Sequence, residues 1–362
     1  MLRRILTSRP ARNLATALFA VAAIAWITVR VLGFPGPRDL RKDPDRLTLM
    51  TLNAEFLWDG QAPEEGQVEF PWKSSPRKAV ARMRALAKII RDADADIVSL
   101  AEVENLDALR IFNQGQLRGM HYLPRFAQGI DRYTGQDMGL LTRIAPDFIR
   151  RDDRKGRSGN LRKSVSKNYV AVIRAGDRRI ALIGLHFLAK PDDKERRPAR
   201  EAQADAVRSM AVEQRRAGRL VVVWGDFNDY DGSPESRDAV GHVPITNVLR
   251  RVREMDPRNP DDDLINVARW LPAHRRYTSF YDRNGNGRVD PPKEFSSIDH
   301  VLISPELARH VESVEIPTGH DPTASTDHFP IVVRLNFAKS WELNDPRGDH
   351  PPSLGPRIAS LL

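Results

Sequence analysis

From Leu47 onward the chain is built of short apolar runs that close on polar letters. LTLMTL leads into NAEFLW, IVSLA into EVEN, IALIGL into HFLA, and VVVW into GDFNDYDG. MGLLTR, NYVAVIR, SIDHVLIS and FPIVVRL complete the set, and each run has the length and composition of a strand. Helical spacing is rarer. Ser75-Pro76 supplies an N-cap and a first-turn proline for a helix whose apolar positions include Val80, Met83, Leu86 and Ile90. A second helix is predicted at about Ala199 to Arg216, stopped by Gly218. Many strands, a few interspersed helices and no regular βαβ alternation predict a layered α/β sandwich.

The head has a different pattern. Arg3, Arg4, Arg9 and Arg12 precede sixteen uncharged, mostly apolar residues from Leu14 to Val29. Continued to Phe34, the stretch approaches the roughly 20 residues that cross a bilayer. Its basic flank predicts a cytoplasmic N-terminus and an exported body. Residues 1–34 therefore read as a signal anchor. A cleaved signal peptide is the alternative, because Ala-x-Ala occurs at Ala20–Ala22 and Ala23–Ala25. A buried core helix is the weakest reading, since nothing amphipathic appears there. Residues 35–46 read as a linker, 47–338 as the body and 339–362 as a Pro-rich tail. The expected location is the cell membrane with the body outside the cytoplasm, or secreted or periplasmic if the head is removed.

Composition narrows the chemistry. The absence of Cys excludes disulfides, zinc-thiolate sites and a Cys nucleophile. The net charge of +9 comes largely from the first 46 residues, where nine Lys/Arg meet three Asp/Glu. Residues 150–179 are a second basic stretch, with eleven Lys/Arg against three Asp, among them Arg150, Arg151, Arg154, Lys155, Arg157, Arg162, Lys163 and Lys167. Such a stretch either attracts phosphate-rich ligands or forms a solvated loop and hairpin.

The polar letters at the strand ends are the strongest signal. Asn53 and Glu55 follow the first strand, Glu102 the second, and His186 follows IALIGL. Asp226 and Asn228 follow VVVWG, Asp299 and His300 lie inside SSIDHVLIS, and Asp327 and His328 precede FPIVVRL. Each alone is explained by a cap, a turn or a satisfied core His. Ionisable groups against buried strands are nonetheless costly unless paired or bound to metal. Their recurrence predicts one site assembled at an edge of packed sheets. Oxygen ligands with few His suit Mg²⁺, Mn²⁺ or Ca²⁺, and such an ion suits phosphoester hydrolysis. No Walker loop and no Gly-x-Ser-x-Gly is present.

In order, LNAEFLW, LAEVEN, MGLLTR, LHFLA, GDFND, SSIDHVL and STDHFP resemble the endonuclease/exonuclease/phosphatase superfamily, with its deoxyribonuclease-I-like fold. NAEFLWDG, EVENLDAL and the pairing of HFLAK with RPAREAQA are most similar to its bacterial exported-nuclease branch. The resemblance implies an α/β fold, a four-layer αββα sandwich of two face-to-face mixed sheets flanked by helices. It also implies divalent-metal-dependent cleavage of phosphoesters, with Mg²⁺ or Mn²⁺ as cofactor. By the same resemblance Glu102 is the principal metal-binding glutamate with Asn53 beside it, and Glu55 and Asp327 contribute to the metal environment. Asp226 positions or deprotonates the attacking water, and Asn228 holds a phosphate oxygen. His328 contacts the scissile phosphate and is oriented by Asp299, and His186 is a second phosphate-contacting or general-acid histidine. Gly225 is expected to let the chain approach substrate, and the helix carrying Arg200 and Gln203 to pack behind the site.

One segment departs from that pattern. DRNGNGRVD places Asp282, Asn284, Asn286, Gly287 and Asp290 at positions 1, 3, 5, 6 and 9 of an EF-hand loop, with Lys293 instead of Glu at the twelfth. It reads equally as a structural Ca²⁺ loop or as an Asn-Gly hairpin turn without an ion. The function expected is a metal-dependent phosphodiester hydrolase acting on nucleic acid. The alternative is a phosphatase or sphingomyelinase-like phospholipase of the same fold. The membrane is the other expected partner, through the head, and no protein partner is predicted.

Overall fold

Alternation along the strands decides which residues meet between the sheets. A computed structural model describes residues 39–61, 67–68 and 73–341. The predicted anchor and most of the predicted tail lie outside them. Among the described residues no helix is long and apolar enough to cross a membrane. The strands are β1 (Arg46–Leu57), β2 (Ile97–Val103), β3 (Leu123–Ala127), β4 (Asp137–Thr142), β5 (Phe148–Arg150), β6 (Gly156–Ser158), β7 (Leu161–Lys163) and β8 (Lys167–Ala175). They continue with β9 (Arg178–His186), β10 (Leu220–Asp226), β11 (Ile265–Asn266), β12 (Ser279–Phe280), β13 (Phe295–Ser296), β14 (Asp299–Ile303), β15 (Val311–Glu315) and β16 (Ile331–Asn336).

One six-stranded sheet has the order β15-β16-β1-β2-β4-β3 and the other β11-β14-β10-β9-β8-β5. Both are mixed, since β1 runs parallel to β2 and β9 parallel to β10 while their other neighbours are antiparallel. Leu47, Leu49, Ile97 and Leu140 of the first sheet share a core with Ile180, Leu182, Val222, Trp224, Val301 and Ile303 of the second. The outer faces are covered by helices. Met50, Leu52, Val98 and Leu100 pack with Met83, Leu86 and Ile90 of α1 (Pro76–Ala93) and with Leu109 and Phe112 of α2 (Leu106–Gln116). Val221, Val223, Ile183 and Leu185 pack with Val207 and Met210 of α3 (Arg197–Arg216) and with Val248 and Val252 of α4 (Val248–Arg253). The predicted four-layer sandwich is the observed one.

The helix ends follow their sequence signals. Ser75 is extended before the first-turn proline of α1, and Asp94 closes that helix in the left-handed region. Of its four predicted apolar positions, Val80 remains exposed at 37%. Residues 39–45, read as linker, run along the domain, with the Leu40 N–H donating to the Arg143 carbonyl at 2.9 Å.

Candidate active site

Four site residues are the last members of inward-facing series. On β1, Leu47 and Leu49 face the other sheet, and two further steps of two bring Asn53 to the same side. Ile180 and Leu182 lead to His186 on β9, and Val222 and Trp224 lead to Asp226 on β10. On β14, Asp299 shares the face of Val301 and Ile303. His186, Asp226 and Asp299 are also in register, Asp226 opposite both. His300 points the other way, as expected, and contacts Asn266 and the Asp229 carbonyl.

Glu102 arrives by another route. Alternation would send it with Val98 and Leu100 towards the helices. Instead it has φ 60°, and the pairing register of β2 shifts around it on both sides. This bulge turns its carboxylate into the site. Glu55, Phe56 and Asn228 are also left-handed, at φ 40°, 76° and 50°. Left-handed backbone is uncommon for such residues, and here it gathers around one site.

The side chains converge closely. The Asn53 Nδ2 donates to Glu102 Oε1 at 3.2 Å and to Asp226 Oδ2 at 3.1 Å. His186 Nε2 stands 3.8 Å and 3.6 Å from the same two oxygens. His328 Nδ1 lies 2.7 Å from Asp299 Oδ2, and its Nε2 3.7 Å from Asp327 Oδ1. Ligand atoms of Asp226, Asp299 and His328 all lie within 4.8 Å of one another. The Glu55 carboxylate is otherwise engaged: its Oε2 accepts from Arg82 and from the Asp327 N–H, both at 2.9 Å. It thereby ties the segment before β16 to β1. Asn53 presents its amide donors to the two acids, while its Oδ1 takes the Glu55 N–H at 3.0 Å.

Asn228 and Gly225 also have packing roles that the sequence did not show. The Asn228 N–H donates to Asp226 Oδ1 at 2.7 Å, closing an Asx-type turn, and its Nδ2 donates to the Phe187 carbonyl at 3.2 Å. Asn228 thus holds the β9 and β10 ends together. Gly225 has φ 133°, and a Cβ there would lie 2.0 Å from the Leu185 carbonyl oxygen. The neighbouring strand by itself requires glycine here.

Burial sets the electrostatics. It raises the pKa of Glu102, and with Asp299 alongside it pushes Asp226 up to about 7. Glu55, buried near Asp327, also rises to about 7. The two imidazoles diverge. Burial, with Lys167 and His328 nearby, drives His186 well below its ordinary value, so it is neutral. Burial opposes a charge on His328 as well, yet Asp299, Asp327 and Asp226 hold it well above the ordinary range. Its Nδ1 interaction with Asp299 leaves Nε2 as the donor directed into the site.

Asp299 Oδ1 and Asp327 Oδ1 are buried without a hydrogen-bond partner among the described residues. Buried carboxylate oxygens are ordinarily satisfied. Hard oxygens lacking donors, beside raised acids, fit a divalent cation.

The supporting residues were mostly missed in the sequence. Arg82 lies at helical spacing with buried Ala79, Met83 and Leu86, and an Arg on that stripe was the available signal. Lys167 is buried, opposite His186, and donates to Gln136 Oε1 at 3.0 Å, while Gln136 reaches Glu102 Oε2 at 3.4 Å. Thr326 donates to the Asn53 carbonyl at 2.7 Å, and Thr278 Oγ1 accepts the Asp299 N–H at 2.9 Å. Arg200 is fully buried and grips the carbonyls of Leu188, Phe227 and Asn228 together with Asp229. It fixes the loops leaving β9 and β10 from behind.

The loop of Asp282, Asn284, Asn286 and Asp290 is closed by its own hydrogen bonds. Asp282 accepts the N–H groups of Gly285, Asn286 and Gly287, and both Asn side chains donate to Asp290 Oδ2.

The Endonuclease/Exonuclease/phosphatase family model matches residues 50–328. The chain belongs to that family. It is therefore a metal-dependent phosphoester hydrolase. The match spans every site residue from Asn53 to His328. Among solved structures the chain is similar to an AP endonuclease from Archaeoglobus fulgidus, at 15% identity and TM-score 0.53, covering 79% of this chain and 98% of that one. It is similar to a 3'-5' exonuclease (NExo) from Neisseria meningitidis at 16% identity and TM-score 0.51, covering 80% and 100%. The third is TDP2 of D. rerio complexed with single strand DNA product, at 15% identity and TM-score 0.50, covering 80% and 99%. At these identities the likeness is one of fold. No curated protein matches the chain.

Proposed function

We propose that the chain hydrolyses phosphodiester bonds of nucleic acid with Mg²⁺ or Mn²⁺, and that residues 1–34 carry the domain out of the cytoplasm as an anchor or a cleaved signal. The observation carrying the catalytic reading is the convergence of Glu102, Asp226, Asp299 and His328 at one end of the two packed sheets, with Asp299 Oδ1 and Asp327 Oδ1 lacking a hydrogen-bond partner among the described residues. Glu102 and Asp226, with Asp327 beside them and the Asn53 amide positioning both acids, would hold the cation. When bound, it neutralises charge developing on the phosphoryl oxygens and lowers the pKa of water.

The protein groups divide the remaining work. Asp226, buried in register with Asp299 and facing His186, takes the proton of the attacking water. His328, charged and oriented by Asp299, donates its Nε2–H to a phosphate oxygen as negative charge builds. His186, neutral and facing Glu102 and Asp226, supplies a second imidazole on the opposite strand. Support for nucleic acid as the substrate comes from the basic stretch at 150–179 and from similarity to proteins described as an AP endonuclease and a 3'-5' exonuclease. Incubation of the purified protein with Mg²⁺ or Mn²⁺ and separate samples of DNA, RNA, sphingomyelin and inositol phosphates tests the reading. Cleavage of DNA or RNA that stops on chelation is expected. Turnover of sphingomyelin or inositol phosphate with nucleic acid untouched would reject it.

A further inference from the structure

The hairpin β6–β7 carries a charge arrangement that the fold does not explain. Its inner face is fixed to α3: Gly156 approaches so closely that a Cβ would lie 2.1 Å from the Ala202 carbonyl oxygen, and Ser158 Oγ donates to Glu201 at 3.1 Å. The Arg157 N–H donates to Asp205 at 2.9 Å. By alternation, the opposite face presents Arg157 and Arg162, which are directly paired across the two strands. Both are exposed and neither forms an ion pair among the described residues. The nearby acids are committed elsewhere, Glu201 to Arg197 and Arg251, and Asp205 to Arg208. Like charges placed opposite one another destabilise a two-stranded ribbon. A rigidly mounted pair of this kind suits an external anion.

The hairpin also leads directly into the catalytic end of β8. β7 ends at Lys163, and four residues later Lys167 opens β8 opposite His186. Four residues span at most about 14 Å. Gln203 closes the junction, donating to the Ser164 carbonyl and accepting from the Leu188 N–H just beyond His186, both at 3.3 Å.

We propose that Arg157 and Arg162 bind the phosphate backbone of a nucleic-acid substrate beside the catalytic centre. This deepens the nuclease reading and rests on it. The two arginines are binding groups outside the reaction itself, and their contribution is electrostatic. Each phosphate neutralised on duplex DNA releases counterion equivalent to a slope of about 0.9 in log K against log salt.

The test uses the full chain carrying Asp226→Asn, with and without Arg157→Ala/Arg162→Ala, and a fluorescent DNA duplex read by anisotropy across a salt series. The double substitution is expected to weaken binding about ten-fold at low salt and to reduce the salt slope by about 1.8. Its melting temperature should be unchanged or higher, because a repulsion has been removed; a structural role for the arginines predicts a lower one. With Asp226 restored, the double variant should hydrolyse the small diester bis(p-nitrophenyl) phosphate within two-fold of the parent. Unchanged affinity and slope would overturn the proposal. So would loss of binding confined to anionic phosphatidylglycerol vesicles, which would assign the hairpin to a membrane surface. Absence of any DNA binding, with the small diester still hydrolysed, would sink both the hairpin proposal and the nucleic-acid reading while leaving the hydrolase standing.

Discussion

Asp226→Asn is expected to lower kcat/KM for phosphodiester hydrolysis about 10³- to 10⁴-fold while the protein stays folded. The carboxylate faces Asn53 and His186 and lies in register with Asp299. An amide there can neither take a proton from water nor supply the negative charge a cation requires. The structural consequences oppose one another. One acceptor is lost, either for the Asn53 amide or for the Asn228 N–H, at about 1–3 kcal/mol. Against this, a buried acid whose pKa is already pushed up to about 7 no longer has to be charged. The melting temperature should therefore move by no more than about 5 °C. Activity above a tenth of the parent's would remove Asp226 from the chemistry.

Gly225→Ala is expected to act on stability, and strongly. The added Cβ would meet the Leu185 carbonyl oxygen at 2.0 Å, and φ 133° is a region that side chains rarely adopt. Neither strand can yield easily. β9 lies between β8 and β10 and pairs with both, while β10 continues to β14. Relief would have to break the register that sets Asp226 opposite His186 and Asp299. A cost of about 3–5 kcal/mol follows, lowering the melting temperature by about 10 °C or leaving the chain insoluble. A drop of less than 2 °C by circular dichroism would show that the close approach is not real.

Much of this arrangement was legible because period-two alternation is a local property. Val222, Trp224 and Asp226 lie on one face by spacing alone, and the same holds for Ile180, Leu182 and His186. The polar end of an inward apolar series is visible in the letters. Glu102 was legible as a strand-end acid and through its motif but not through alternation, since its position depends on a bulge that reverses its face. Arg82, Gln136, Lys167 and Thr326 were not legible as site supports. Each acts through a partner distant in sequence, such as Glu55 for Arg82 or the Asn53 carbonyl for Thr326. The packing demand on Gly225 was hidden for the same reason, because the atom that demands glycine belongs to another strand.

The central claim is that separate strand ends build one cation-binding hydrolytic centre. Anomalous diffraction at the manganese edge, from crystals of the full chain soaked in Mn²⁺, tests it most directly. A strong peak against the carboxylates of Glu102 and Asp226 is predicted, absent in the Asp226→Asn variant or weakened there. A peak only at another place, or none with these side chains well ordered, would contradict it.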